Sequence, residues 1–168
     1  MANQTVAELK KKSDAAWGNL SRQLQGMEPH IDRSDAPGEW TTREVLCHLL
    51  FEDGFEPKAF LRTFADRDLP VVDIKPSDTH MTAERRKATL KELADSLDAQ
   101  RKSLFAYLEG LSDAELGRKA RIPLFKDFMG TDEIPMPMFV GAMFDYHWND
   151  HAGHIAKIRK AAGLPEAK

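Results

Sequence analysis

The chain has 168 residues, 42% hydrophobic and 30% charged, enough apolar content for a core that folds alone. Lys and Arg total 24 against 27 Asp and Glu, and the net charge of −3 provides no global attraction for nucleic acid or an anionic membrane. A single cysteine, Cys47, excludes an internal disulfide, and no apolar run approaches the ~18 to 20 residues of a membrane span.

The charges are interleaved along the sequence, as on a solvated helical surface. The first residues lack a basic stretch followed by an apolar run, so no secretory signal is expected. With one thiol and no disulfide, the expected compartment is the cytoplasm. One domain over residues 1–168 is expected.

The apolar spacing predicts a first helix from Thr5 to about Gly26. Thr5 is its expected cap with Glu8 in the capping-box position, and Val6, Leu9, Ala16, Leu20 and Leu24 form the inward stripe. Residues 27–40 hold two prolines and a glycine and read as a loop, with His30 in solvent. Thr41 or Thr42 then caps a second helix, with Glu44 completing a capping box. Val45, Leu46, Leu49, Leu50 and Phe51 face inward, and His48 lies close to that stripe. A polar ring so near the core needs a partner, and a metal is one way to satisfy it. Cys47 is read as a small core residue.

Beyond Glu52, the apolar positions Phe55, Phe60, Leu61 and Phe64 favour a helix kinked at Pro57 and continuing to about Asp66. Residues 67–81 read as an extended crossover without a strand partner, and His80 within it is expected in solvent. A third helix is predicted from Thr82 to about Glu109, with Leu90, Leu93, Leu97, Leu104, Phe105 and Leu108 buried. Residues 111–116 form a capped turn. Residues 117–133 form a long connection whose apolar side chains cover one end of the core. The last helix starts within residues 135–138 and runs to about Ala162, where Gly163 and Pro165 end it. Methionines 129, 136, 138 and 143 suit either a pocket wall or ordinary gap-filling core, and ordinary core is the reading taken. Four amphipathic helices without a convincing strand make this an all-α chain, an antiparallel four-helix bundle with long crossover connections.

The last helix carries His147, His151 and His154. At about 100° per residue, His147 and His151 project from one face about one turn apart, and His154 edges that face. Neutral imidazoles at this spacing suit a divalent transition metal, although a single histidine on an apolar face is more often a hydrogen-bonded core residue. One helix supplies only part of a coordination sphere, and the best third ligand is His48. Glu52, on the same side of its helix, is an acceptor behind the ligands, a weak alternative ligand or a plain surface carboxylate.

The stretch from Trp40 through the capping threonines to His48 and Leu49 resembles the entry to the second helix of the DinB/YfiT-like proteins. The stretch 147–155, a histidine pair four apart followed by Gly153, resembles their closing helix, and residues 111–116 fit their third-helix exit. The resemblance implies an antiparallel four-helix bundle with a divalent metal on His48, His147 and His151. It also implies a metal-dependent thiol transferase or isomerase using mycothiol, bacillithiol or glutathione, and a homodimer. His154 departs from the pattern, standing where many relatives carry glutamine. It is assigned to a supporting position behind the ligands.

The expected activity is therefore that of a divalent-metal enzyme, with zinc, nickel, iron or manganese, activating a thiol or water nucleophile against a small electrophilic substrate. His154, Asp150 and Glu52 would orient ligands or move protons. The alternative is a non-catalytic bundle that binds a metal or an apolar ligand. No nucleic-acid or membrane partner is expected.

Overall fold

A computed structural model describes residues 3–167. Helix α1 (Gln4–Leu24) opens at Asn3, whose side-chain oxygen accepts from the amides of Thr5 at 2.9 Å and Val6 at 3.4 Å. Asn3 is thus the cap, in place of the expected Thr5. The helix ends where Gly26 takes a φ of +74°, a conformation that costs glycine little.

Helix α2 (Thr42–Leu50) begins with the expected capping box. Glu44 N–H donates to Thr41 Oγ1 at 3.2 Å, and Thr41 N–H donates to the Glu44 carboxylate at 2.8 Å. The helix does not continue to Asp66. Phe51 leaves it at a φ of +59°, Gly54 reverses the chain at +78°, and Pro57 starts a separate short helix, α3 (Pro57–Leu61). Proline at a first helical position loses no intrahelical bond, so here it begins an element and does not kink one.

The predicted third helix is also two pieces, α4 (Ala83–Lys87) and α5 (Leu90–Leu108). Ala88 turns extended between them, and Thr89 and Glu92 form a new capping box at the start of α5. The Arg43 guanidinium from α2 enters the break and donates to the carbonyls of Arg85 and Ala88. Helix α6 (Asp113–Leu116) is the capped turn, closed by Ser112 and Glu115.

The long connection contains strand β1 (Lys119–Arg121), helix α7 (Lys126–Met129) and strand β2 (Glu133–Pro135). The strands pair antiparallel with Ala120 opposite Ile134, so the expectation of no strand needs correction. Bridges from Ala65 to Lys119 and from Val71 to Arg121 tie the crossover to this small sheet. Alternation hid these strands because each is three residues long and buries only its central side chain.

Helix α8 (Met136–Gly141), a π-helical stretch (Ala142–Trp148) and helix α9 (Asn149–Ala161) run on as one continuous rod. The architecture is a four-helix bundle. Helix α1 packs against α5 and the last rod, and α2 packs against α5 and α9 on the opposite side. Leu20, Leu46, Leu97, Leu104 and Ile155, all fully buried, fill the space between.

Candidate metal centre

Where α2 meets the last rod, His48, His147 and His151 converge. Each offers a ring nitrogen, and these atoms lie within 4.8 Å of one another. His48 comes from the last turn of α2, which the Thr41 cap anchors at its other end. His147 lies in the last turn of the π-helical stretch and His151 in the first turn of α9. π-helical turns are uncommon and recur at functional sites.

His48 is 5% exposed and His151 9%. His48 Nδ1–H donates to the Asp78 carbonyl at 2.7 Å, which leaves Nε2 as the lone-pair nitrogen, and that atom stands 2.9 Å from His147 Nε2. His151 Nδ1 is buried with no hydrogen-bond partner. Burial is the main cause that pushes His147 down to about 3 and His151 to about 4, with neighbouring imidazoles adding to it. Burial lowers His48 as well, against a smaller opposing effect of the Asp78 carbonyl. The three rings are therefore neutral at physiological pH, the state in which imidazole ligates a metal. Three neutral nitrogen donors, one facing no protein partner, fit a divalent ion of borderline softness.

Trp40 stands against two of the rings, 4.8 Å from His48 and stacked 6.0 Å from His151. Its indole keeps water from that side. His80, expected in solvent, instead stacks 6.2 Å from the His48 ring, its side chain only 12% exposed. A φ of +51° at His80 and a hydrogen bond that the Arg85 guanidinium donates to its carbonyl at 2.7 Å hold it there. No periodicity marks a loop residue, so its place depends on how the crossover is tied down.

His154 is half-buried and stacks 6.2 Å from His151, with Nε2 3.6 Å from Asp35, so it stands behind the group and outside it. Asp150 and Glu52 are exposed and do not join the group. The charge of Asp150 still acts on His151, opposing the loss of its proton. Cys47 is fully buried and His30 half-buried.

A cavity of about 460 Å³ opens onto His48 and His147. Its walls come from Phe51, Ile74, Leu124, Phe125, Phe139 and Met143, drawn from the end of α2, the crossover, the long connection and the last rod. Met143 and Met136 are buried as expected, whereas Met129 and Met138 are exposed at 42% and 40%.

Residues 2–155 match the DinB superfamily. The chain belongs to that superfamily. This span contains all three converging histidines. YfiT from Bacillus subtilis, described as a probable metal-dependent hydrolase with an unusual four-helix bundle topology, shares the fold at a TM-score of 0.73. It is 17% identical, and the superposition covers 98% of this DinB-superfamily chain and 91% of YfiT. No curated protein matches the chain in sequence.

Proposed function

We propose that this DinB-superfamily protein is a divalent-metal enzyme that binds its ion through His48, His147 and His151. It would activate a water or thiol nucleophile against a small electrophilic substrate. The observation that carries this reading is the convergence of three neutral imidazoles from two distant segments, two of them, His48 and His147, facing a cavity. Held there, a divalent cation supplies the positive charge that makes water or a thiol acidic enough to react near neutral pH.

The chain's own groups prepare the site. The Asp78 carbonyl fixes the His48 tautomer so that Nε2 faces inward. Trp40 excludes water behind two rings, and His154 supports His151 from outside the group. His80 lies on the cavity side, where it is placed to orient a bound molecule. Hydrolysis is the reaction that the fold neighbour YfiT supports. Thiol transfer or isomerisation, a low-molecular-weight thiol cofactor and a homodimer follow from the family resemblance, whereas a cytoplasmic location and a single domain over 1–168 follow from the lone cysteine and the chain length. Zinc, nickel, iron and manganese all suit the donor set.

Elemental analysis of protein purified without added metal tests the reading. About one ion per chain is expected in the parent, and His48→Ala and His151→Ala should each lower it at least roughly tenfold. Metal content unchanged in both variants would overturn the triad. A non-catalytic metal site is the alternative. Chelation should then lower the melting temperature by several degrees, while no electrophile is turned over with water or any thiol.

A further inference from the structure

The cavity beside the histidines is far less polar than the centre it adjoins. Apart from the imidazoles of His48, His80 and His147 and the Tyr146 hydroxyl, the one polar side chain in its lining is Lys75, and no carboxylate lines it. Lys75 is exposed, its charge felt by the Asp78 carboxylate three residues on but without an ion-pair contact to it among the described residues. Aromatic side chains supply much of the wall. Phe139 is held rigid at 5.1 Å from Phe60 and 6.0 Å from Phe64, whereas Phe128 and Tyr146 at the mouth are 73% and 70% exposed. Large apolar side chains left in water around a concave site are characteristic of ligand-binding surfaces, and about 460 Å³ is within the usual range for a small organic molecule.

We propose that the cavity selects an amphipathic monoanion, an alkyl or aryl body with one acidic end. The apolar body lies along Phe125, Phe139 and Met143, and the acidic end is met by the Lys75 ammonium. This specifies the substrate class of the activity proposed above and rests on that reading for its catalytic meaning. The binding itself does not depend on the metal. A cationic head has no carboxylate to meet it in this lining, so charge complementarity excludes it.

Displacement of the fluorescent anion 1-anilinonaphthalene-8-sulfonate by n-alkanoates of two to eight carbons tests this, on both chelator-treated and zinc-loaded protein. Each added methylene should tighten binding about fourfold, from ~0.8 kcal/mol per buried CH2. Phe128→Asp, at an exposed position that folding does not depend on, and Leu124→Asp should each weaken octanoate at least about tenfold, with zinc stoichiometry unchanged. Octylammonium should bind at least about tenfold more weakly than octanoate. Failure of the fluorophore to bind the parent protein, equal affinity along the alkanoate series, or equal affinity for octylammonium would each overturn the proposal. A chain that takes up no zinc yet keeps the alkanoate gradient would overturn the metal centre and leave the cavity assignment standing.

Discussion

His48, His147 and His151 are brought together while neutral, and this has a consequence for stability. In the unfolded chain a histidine titrates near ~6.5. In the fold His147 is lowered to about 3 and His151 to about 4, with His48 lowered too. Between ~6.5 and the lowered values the unfolded chain takes up protons that the folded chain excludes, so stability is lost as pH falls. Chelator-treated protein is expected to unfold at progressively lower urea concentration from about pH 7 to about pH 5, and His151→Ala should flatten that slope. A midpoint independent of pH across this window would show that the rings titrate normally. Phe51 and His80 are a second matter at this scale. Both are non-glycine residues at positive φ, and the Arg85 guanidinium donates to both carbonyls, at 2.5 and 2.7 Å. Backbone conformations of this kind persist where surrounding contacts over-determine them, and here both residues line the cavity.

Helix starts account for much of the architecture. Thr41, Thr89 and Ser112 each close a capping box with a glutamate three residues on. The Thr41 box matters most for the site, because α2 is only nine residues long and carries His48 in its last turn. Thr41→Ala is expected to cost about 1 kcal/mol. In a chain of this size that is a fall in melting temperature of about 2–4 °C, read by differential scanning calorimetry. The same residue pattern at Thr89 marks the break that divides the predicted third helix. Thr-x-x-Glu is visible in the sequence at 89–92, but the apolar periodicity runs across it. The break is stable because Arg43 satisfies the carbonyls of Arg85 and Ala88.

Arg43 acts across the whole molecule. From α2 it reaches Asp32 in the preceding loop, at 2.6 Å from Nε and 3.1 Å from Nη2, as well as the carbonyls between α4 and α5. The Asp32 side chain is 68% exposed and Arg43 is 8% exposed, so water weakens the ion pair more than it weakens the carbonyl bonds. Removing a charged donor from buried carbonyls costs about 2 kcal/mol, and Arg43→Ala is expected to lower the urea midpoint more than Thr41→Ala does. An effect smaller than that of the cap would mean that water replaces the guanidinium in the break. No described helix is long and apolar enough to cross a membrane, and the last rod, the longest apolar-faced element, is spent on the bundle interior.

Periodicity and capping chemistry were enough to place four helices, the α2 cap and the His147/His151 pair, because a helix converts sequence spacing directly into a shared face. They also put His48 near the core. The Glu52 position shows the limit of that logic, since it has the right helical phase on paper but α2 ends before it, and both Glu52 and Asp150 end in solvent. Only the tertiary structure decided that α2 stops at Phe51, that the crossover returns to stack His80 on His48, and that residues 124–143 wall a cavity over the site. Those outcomes depend on contacts between segments far apart in the chain, made through backbone carbonyls and guanidinium groups whose positions no local pattern records.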